Sequence, residues 1–568
     1  MLREADVLPL PLENLPHFSG FSECDSDPEK KAFKNSQQLA PMGLLQALQC
    51  LYPNNTDVAA KLRIAVQSQV FGATTGKVNI WATANPERTH WLIDTSVKGL
   101  WASDLAPNVR LLVIPLDIVA KGVAAVGRIF RKRLVMATMS PKGNSVDAKV
   151  TYSQSASRSR IVFVTHEGLN YGDLFAKTLF YSDDPHSELY PENLLHFDYS
   201  GVPAPSEKLR WVCLGRQNDS WFSGISFALV ALSKGILHVR SVQQILGLLI
   251  LTRLYVRFRY YLKKLEAYPD LKIALIDYEI LCPKALLLAF EARKIITVAV
   301  QERFCGGFYT SYATTMLSTY LCGSQYVADA MEKAPFYHVD HYLPVGLYRS
   351  DNFAMARQSP PPQILKAPIA QGRKIITALG YHTHSDWHNS QPSLHVSWTA
   401  HRQFLEEMIR LSREIPNVFI ILRFKSVDWV SLPVFADVFR EIESSENMTI
   451  SMDYNKSFFS YDLCAYSHLV IAKHTSLGDE CLAAGIPVLF HEYTHNTERL
   501  VADAFDYSPA QIMCFNYREL LGRSQTILSG TPHAMDRDYE YLKNVVYGGL
   551  GDGKVHERIH THIDSMLT

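Results

Sequence analysis

The chain has 568 residues, more than one hydrophobic core usually organises, so two domains are expected. Hydrophobic residues make up 47% and charged residues 20%, which is ordinary globular composition. The formal net charge is zero, which excludes a general electrostatic attraction to nucleic acid. Nine cysteines are scattered without CxxC spacing, which indicates reduced thiols in a cytosolic protein and argues against a disulfide framework or a zinc site.

The first 57 residues are predicted to form an irregular lead-in, because they are polar in places and lack a clear hydrophobic period. They contain no basic region followed by an apolar core, so a secretory signal is not expected. No stretch of the sequence reaches the length of uncharged apolar residues that spans a bilayer.

Strand and helix signals alternate from residue 58 to residue 357, the predicted N-terminal domain. The strands are dense in Val, Ile and Leu without strict alternation, a pattern typical of a parallel sheet that is covered on both faces. The predicted strands begin at Lys77, Asn108, Arg160, Leu209, Leu271 and Lys294.

The Pro-rich segment 358–368, QSPPPQILKAP, is predicted to be the interdomain linker. A second alternating series over 369–545 contains an amphipathic helix from His401, and the tail 546–568 is predicted to be a terminal helix. The strands of this series are RKIITALG, NVFIILRF, MTISMD, SHLVIA and IPVLF. Two α/β halves joined by a linker imply a cleft between the carboxyl ends of two sheets.

The most informative stretch runs from Lys473 to Tyr493 and reads KHTSLGDECLAAGIPVLFHEY. It is predicted to be a loop, a short helix that stops at Gly485, and a buried strand. Backbone N–H groups at such a helix N-terminus form a ready anion site, and Glu480 adds a carboxylate about one turn into the helix. A phosphate-binding end and a hydroxyl-binding carboxylate on one helix suit a nucleotide.

Three pieces of the chain, which together span about residues 290–500, resemble GT-B glycosyltransferases. TSLGDECLAAGIPVLFH is similar to their donor-binding element, and FIILRFKS is similar to the strand and basic loop that meet the donor phosphate. VAVQERF, with the later YLCGSQYVADAM and LPVGLYRSD, resembles the end of their N-terminal domain. The similarity is to bacterial surface-carbohydrate, capsule and O-antigen biosynthesis proteins. It implies an α/β fold with two Rossmann-like domains that face a central cleft.

The resemblance implies that Glu480 binds the ribose hydroxyls of a nucleotide-sugar donor. The alternative is an acid that only complements the helix dipole, a role that Asp479 fits better. Thr475 and Ser476, which follow His474 at the end of a strand, are good helix N-caps with or without a phosphate contact.

Two cations, Arg423 and Lys425, lie at the end of a predicted strand, and strand alternation places them on the same side. They would neutralise a leaving nucleotide phosphate without a metal ion, unless they are ordinary solvated charges. Gly380 and His382 follow another strand and are predicted to line the cleft. His491 is predicted either to hold the nucleobase or sugar or to make local hydrogen bonds.

An inverting transferase needs a base from the N-terminal domain, where a carboxylate of suitable pKa can deprotonate the acceptor hydroxyl. Glu167 and Asp173 lie in a loop whose glycines allow close approach to a ligand, and Asp277 ends another strand. Glu279 and Glu302 are further carboxylates at strand ends. A structural role is the alternative for each of them.

Two segments, 112–134 and 245–265, are both apolar and basic, which suits contact with anionic lipid headgroups. The alternative is a pair of long core helices with solvated ends. Acceptors in surface-polysaccharide assembly are usually lipid-linked, so the resemblance favours a cytoplasmic protein that is peripheral on the inner face of the plasma membrane.

The sequence therefore predicts transfer of a sugar from a nucleotide-sugar to a surface polysaccharide or a lipid-linked glycan. No cofactor, no metal and no nucleic acid is expected to take part, since the nucleotide-sugar is a substrate. A nucleotide-sugar epimerase on the same fold and a non-catalytic subunit of a glycan-assembly complex are the alternative functions.

Overall fold

The computed structural model describes most of the chain between residue 37 and residue 567. The described residues are 37–53, 57–70, 90–94, 109–113, 159–165, 180–199, 204, 206–214, 221–277, 279, 281–301, 315–332, 337–380, 383, 398–452, 459–473, 475–491, 512–530 and 534–567.

The N-terminal domain is built on a parallel sheet. A separate parallel pair of strands, β1 (His90–Asp94) and β2 (Val109–Val113), precedes it. The seven strands of the sheet are β3 (Ile161–Thr165), β4 (Leu195–Asp198), β5 (Arg210–Cys213), β6 (Ile273–Ile276), β7 (Ile296–Val300), β8 (Thr315–Cys322) and β9 (Tyr337–Pro344). Their order is β5-β4-β3-β6-β7-β8-β9. The strands predicted at Asn108, Arg160, Leu209, Leu271 and Lys294 are confirmed, and the one predicted at Lys77 lies outside the described residues.

Helices of the N-terminal domain pack on one face of this sheet. They are α1 (Met42–Gln49), α2 (Val58–Val70), α3 (Trp221–Gly235), α4 (Val242–Leu265), α5 (Lys284–Ala292) and α6 (Gln325–Glu332). Val162 and Val164 of β3 point to these helices, whereas Ile161 and Phe163 point to the opposite face, as the two-residue period of a strand requires. Among the described residues, no helix is both long and apolar enough to cross a membrane.

Two predictions about the ends of this domain need correction. The predicted irregular lead-in contains α1, whose Leu44 and Leu48 are buried in the domain core. The predicted linker 358–368 is largely helical, because α7 (Asp351–Gln358) ends where it begins and α8 (Gln363–Ala370) fills its second half. Leu365 of α8 is buried against side chains of the second domain, which explains why this proline-rich segment is not a free linker.

The C-terminal domain is built on a second parallel sheet, now of six strands. They are β10 (Lys374–Gly380), β11 (Val418–Phe424), β12 (Met448–Ile450), β13 (Leu469–Ala472), β14 (Val488–His491) and β15 (Met513–Cys514). Their order is β12-β11-β10-β13-β14-β15, and every neighbouring pair is parallel. Five of the six strands were predicted from the sequence, and two α/β domains with parallel sheets are confirmed.

Helices cover both faces of the second sheet. They are α9 (Trp398–Glu414), α10 (Ala436–Glu443), α11 (Phe459–Ala465), α12 (Ser476–Ala483) and α13 (Tyr517–Ser529). The amphipathic helix predicted from His401 is confirmed as α9, whose Phe404 and Met408 pack on Ile376 and Ile420. On the other face, Val470 and Val488 pack against α12.

The chain finally returns to the N-terminal domain. It does so through α14 (Ala534–Tyr541), a π-helical turn over Leu542–Val546, and α15 (Val555–Leu567), the predicted terminal helix. The buried residues Val555, Ile559 and Ile563 of α15 pack on the face of the first sheet that α1–α6 leave open. The C-terminal helix is therefore part of the N-terminal domain.

We predict that Ile559→Ala lowers the free energy of unfolding by about 2–5 kcal/mol, because it removes a fully buried side chain and leaves a cavity against the sheet. Urea unfolding measures this loss. Asp564→Ala, at an exposed position on the same helix, is the control and should change stability little. Equal effects of the two substitutions would contradict the packing of α15 on the sheet.

Candidate functional site

The position of the site follows from the strand order of the two sheets. Each order reverses direction once, between β10 and β13 in the C-terminal domain and between β3 and β6 in the N-terminal domain. Ligands of open parallel sheets bind outside the carboxyl ends of the strands at such a reversal. In the C-terminal domain, Leu379 pairs with both Arg423 and Ala472, so β11, β10 and β13 end level with one another.

At the reversal in the C-terminal domain, β13 runs directly into the N-terminus of α12. Thr475 has an extended backbone, and its hydroxyl caps the helix by accepting a hydrogen bond from the Leu477 N–H at 3.4 Å. The Thr475 carbonyl accepts from the Gly478 N–H at 2.9 Å. The predicted capping role of Thr475 is confirmed, with Ser476 as the first helical residue, so the helix presents its N-terminus at the sheet edge.

Close packing brings this helix onto the sheet. A Cβ atom at Gly478 would lie 2.7 Å from the ring of Phe490 in β14 and 3.4 Å from the Cβ of Ala472 in β13. Glycine is therefore required where α12 meets the sheet, since any side chain would push the helix N-terminus away from the strand ends.

Glu480 lies on the buried side of α12 and has a defined hydrogen bond. Its side chain is 3% exposed, and its Oε2 accepts a hydrogen bond of 2.6 Å from the Tyr461 hydroxyl of α11. Burial, together with the neighbouring Glu480 charge, raises the pKa of Tyr461 well above its ordinary value, so the phenol stays protonated and donates. The bond fixes the orientation of the Glu480 carboxylate.

Arg423 supports the element that carries Tyr461. The guanidinium is buried, its Nε donates to Ser460 Oγ at 3.0 Å, and its Nη1 donates to Ser451 Oγ at 3.3 Å. It thereby ties the end of β11 to the first turn of α11. Lys425, two residues later, is exposed beyond the strand end. The two cations thus differ: Arg423 is built into the site wall, and the Lys425 side chain faces solvent.

The end of β10 approaches its neighbour without a side chain between them. A Cβ atom at Gly380 would lie 1.9 Å from the ring of Phe424, so only glycine fits there. The other predicted site residues at this edge, His382 and His474, lie outside the described residues, as do Glu167 and Asp173 of the N-terminal domain.

His491 ends β14 with its side chain in the domain core. Its Nε2 is 2.9 Å from Glu407 Oε2, and the ring packs edge-on against Phe404. Burial lowers the pKa of His491, with the Lys473 charge acting in the same direction and Glu407 opposing it. Lys473 is also buried and donates to the Ala400 carbonyl at 3.1 Å. This geometry corresponds to the predicted alternative of local hydrogen bonding.

In the N-terminal domain, Asp277 lies at the reversal of strand order. It follows β6 directly, its backbone N–H donates to the Val164 carbonyl at 3.0 Å, and its Oδ2 is 3.5 Å from the Thr165 hydroxyl at the end of β3. The side chain is half-buried. Asp277 is the predicted catalytic carboxylate that the described structure places at a sheet edge.

Further ionisable groups surround Asp277. Burial raises the pKa of Tyr199, and the charges of Cys282, Asp277, Asp198 and Glu279 add to the shift. Glu279 is buried and accepts a hydrogen bond of 2.6 Å from the Tyr320 hydroxyl. A phenol that stays protonated therefore lies close to several carboxylates at this edge.

The segment that returns to the N-terminal domain contacts both sheet edges. The Tyr547 hydroxyl donates to Asp479 Oδ1 at 2.9 Å in the first turn of α12. One residue earlier, the Val546 carbonyl accepts a hydrogen bond of 2.5 Å from the Ser324 hydroxyl, just after the end of β8. The carboxyl edges of both sheets therefore lie beside the same segment, as expected for a cleft between the two domains.

The sequence motifs do not identify two tyrosines of the site. Tyr461 and Tyr547 are distant in sequence from the carboxylates that they bind, and neither belongs to the motif around α12. The one indication was the pair of adjacent acids, Asp479 and Glu480, in an otherwise apolar helix. Because both are buried, each needed a hydrogen-bond donor from elsewhere in the chain.

Within the described ranges, no group of three or more His, Cys, Asp or Glu side chains is arranged to hold a metal ion.

Comparisons with known proteins give structural likeness only. No protein-family model matches the chain, and no curated protein matches it. Among solved structures, it is similar to a putative UDP-N-acetylglucosamine 2-epimerase from Listeria monocytogenes (12% identity, 72% of this chain, 97% of that one, TM-score 0.44). It is also similar to the Neisseria meningitidis UDP-GlcNAc 2-epimerase bound to UDP-GlcNAc (11% identity, 71% of this chain, 100% of that one, TM-score 0.40). A third similar structure is a Rickettsia africae glycosyltransferase (10% identity, 72% of this chain, 98% of that one, TM-score 0.40). The function is therefore inferred from the residues of this chain.

We predict that Tyr461→Phe lowers the free energy of unfolding by about 1.5–3 kcal/mol, because it removes a buried hydrogen bond to a charged carboxylate. Chemical denaturation measures the change. Tyr541→Phe, at a half-buried tyrosine in α14, serves as the control. A Tyr461→Phe variant as stable as the wild type would show that the bond to Glu480 is not held in solution.

We also predict acid sensitivity of the C-terminal domain from His401. Its ring is buried among Phe424, Trp429 and Phe435, and burial, followed by the Lys473 charge, lowers its pKa from 6.5 to about 2. The unfolded chain binds this proton below pH 6.5 and the native state does not, so stability falls as pH drops. The loss is about 1.4 kcal/mol per pH unit.

In His401→Phe, unfolding measured from pH 6.5 to pH 4.5 should depend less on pH than in the wild type, since the group that takes up the proton is gone. His186→Gln, at an exposed histidine, is the control and should keep the wild-type dependence. Parallel curves for His401→Phe and the wild type would contradict a neutral, buried His401.

Proposed function

We propose that this protein is a glycosyltransferase that uses a nucleotide-sugar donor. The main support for this proposal is the position of α12 and Glu480 at the end of β13. There, a capped helix N-terminus lies at a reversal of strand order, and the same helix holds a carboxylate whose orientation Tyr461 fixes. Backbone N–H groups for a phosphate and a carboxylate for ribose hydroxyls are the two contacts that a nucleotide requires.

The donor phosphates bind at the N-terminus of α12, and Lys425 approaches them from the end of β11. Only β10 lies between β11 and β13, so the ends of these two strands are about 10 Å apart. A lysine side chain and a diphosphate together are long enough to span this distance. Charge that develops on the leaving phosphate is then stabilised by N–H groups and the Lys425 ammonium, with no metal ion. Arg423 acts on this site through α11, because its guanidinium binds Ser460.

The acceptor hydroxyl binds at the opposite edge, in the N-terminal domain. In the transfer step, the acceptor oxygen forms a bond to the anomeric carbon, the bond from that carbon to the donor phosphate breaks, and the nucleotide leaves with the electron pair. Asp277 accepts the proton of the acceptor hydroxyl, since it is half-buried at the reversal of strand order between β3 and β6.

The acceptor that we propose is a surface polysaccharide or a lipid-linked glycan precursor of the capsule or O-antigen type. This part of the proposal rests on the sequence resemblance to surface-carbohydrate enzymes. We propose on the same ground that the protein acts in the cytoplasm at the inner face of the plasma membrane, where such acceptors are assembled.

A thermal-shift panel of UDP-, GDP-, CMP- and dTDP-sugars tests the donor site. The matching donor should raise the melting temperature of the wild type, because it binds only the native state. Glu480→Gln keeps the hydrogen bond to Tyr461 within reach but removes the charge, so donor affinity should fall about tenfold or more.

Asp479→Asn, on the adjacent residue of the same helix, is the matched control. Its carboxylate binds Tyr547 rather than a ligand, and asparagine keeps an oxygen that accepts the same hydrogen bond, so donor affinity should change little. The proposal is overturned if no donor raises the melting temperature, or if the two substitutions weaken the donor equally.

Incubation of the donor alone separates the transferase from its enzymatic alternative. A transferase should leave the sugar of the nucleotide-sugar unchanged in configuration until an acceptor is added, and then release the nucleotide. Epimerised nucleotide-sugar without acceptor would identify an epimerase, and a bound donor that is never turned over would identify a non-catalytic subunit.

A further inference from the structure

One surface of the N-terminal domain has an unusual charge pattern that the proposed reaction does not use. From Trp221 to Leu265 the sequence contains seven Lys and Arg residues and no Asp or Glu. This segment forms α3, a 3₁₀ turn over Ile236–His238, and α4. We call it the basic hairpin. Its charge is therefore of one sign throughout, although the whole chain has a formal net charge of zero.

The corner of the basic hairpin, which is the 3₁₀ turn over Ile236–His238, exposes large apolar side chains together with the helix ends beside it. Leu237 is 87% exposed, Leu229 61% and Ile236 51%. Of the twelve large hydrophobic residues that are exposed in the described part of the chain, six lie in the 21 residues from 229 to 249. Those six are Leu229, Val230, Ile236, Leu237, Ile245 and Leu249. Such a concentration marks an interaction surface, because isolated exposed apolar residues are usually scattered.

The corner packs closely against the rest of the N-terminal domain. A Cβ atom at Gly235 would lie 2.3 Å from Leu248 and 3.1 Å from Leu44 of α1, so α3, α4 and α1 meet there in close contact. Leu248, Leu251 and Tyr255 on the inner face of α4 are buried in the domain core. The predicted alternative of a core helix is thus correct for one face of α4, while its other face is exposed.

A stripe along that exposed face joins the apolar corner to basic residues. Ile245, Leu249, Arg253 and Arg257 are spaced four residues apart on α4, so they follow one another along one side of the helix. Within the described ranges, neither Arg253 nor Arg257 has a carboxylate partner, and the charge of Arg257 lowers the pKa of Arg253. The two guanidiniums are like charges four residues apart on one helix face, so an anion beside them would relieve their repulsion.

We propose that the basic hairpin docks the protein on a bilayer surface that contains anionic lipids. Ile236, Leu237 and Leu229 enter the boundary between headgroups and acyl chains, and Arg253 and Arg257 contact lipid phosphates beside them. Protruding apolar side chains next to cations of one sign are the composition of interfacial membrane-binding elements. A protein partner fits this surface less well, because the basic hairpin has no carboxylate to pair with the Lys and Arg residues of that partner.

This docking does not depend on the proposed sugar transfer, because the basic hairpin contains no residue of the donor site or of the Asp277 edge. The sequence predicted lipid contact for the whole segment 245–265. The proposal limits this contact to the exposed face of α4 and adds the 3₁₀ turn before that helix. The other predicted segment, 112–134, lies outside the described residues apart from the last residues of β2.

Co-sedimentation of the full chain with vesicles tests the proposal. Vesicles of phosphatidylcholine alone are compared with vesicles of phosphatidylcholine and phosphatidylglycerol at equal lipid concentration. Binding to the anionic vesicles should be about tenfold tighter or more, and it should weaken as the salt concentration rises.

Two variants separate the apolar and the basic contributions. Ile236→Asp with Leu237→Asp should abolish binding to anionic vesicles, whereas Arg253→Gln with Arg257→Gln should remove most of the preference for anionic over neutral vesicles. Val434→Asp, at an exposed apolar position of the C-terminal domain, is the matched control and should bind as the wild type does.

The proposal is overturned if the wild type does not sediment with anionic vesicles, or if the corner variant binds as well as the wild type. It is also overturned if the wild type is a dimer in solution that the corner variant dissociates, because the surface would then bind a second copy of the chain. The same samples tested for a donor-induced thermal shift show the state of the donor site separately, so either proposal can fail without the other.

Discussion

The reversal of strand order in each parallel sheet is the constraint on which the rest of the structure depends. Between β10 and β13, and again between β3 and β6, the connecting segments leave in opposite directions and open a crevice at the carboxyl ends of the strands. The N-terminus of α12 lies at the first reversal and Asp277 at the second. The strand order of the two sheets therefore determines where the proposed reaction takes place. The side chains at these crevices determine which ligand binds there.

The returning segment contacts the carboxyl edges of both sheets. Tyr547 binds Asp479 in the first turn of α12, Val546 binds Ser324 at the other sheet edge, and α15 then anchors the segment on the first sheet. A change in the relative position of the domains would strain or break one of these hydrogen bonds. Since Glu480 is the next residue after Asp479, the same contacts hold the carboxylate that we assign to the donor.

Most of the architecture could be predicted from the sequence, because buried parallel strands such as Ile161–Thr165 and Val418–Phe424 are continuous apolar runs. The motif around Glu480 predicted the helix, its cap and its place after β13. The sequence could not predict that Arg423 binds Ser460, that His491 turns toward Glu407, or that Tyr461 covers Glu480, because those contacts join elements that are far apart in the chain. The proline content of segment 358–368 led to the wrong prediction of a free linker, because α8 packs on the second domain through Leu365 despite the prolines before it.

A nucleotide-sugar bound at the N-terminus of α12 should protect the backbone amides of that helix from exchange with solvent. Hydrogen exchange of the full chain, measured with and without the nucleotide-sugar that raises the melting temperature, detects this protection. We expect slower exchange in peptides that cover residues 473–485, and the loss of this protection in Glu480→Gln. Protection confined to the N-terminal domain, or unchanged exchange over 473–485, would show that the donor does not bind at α12.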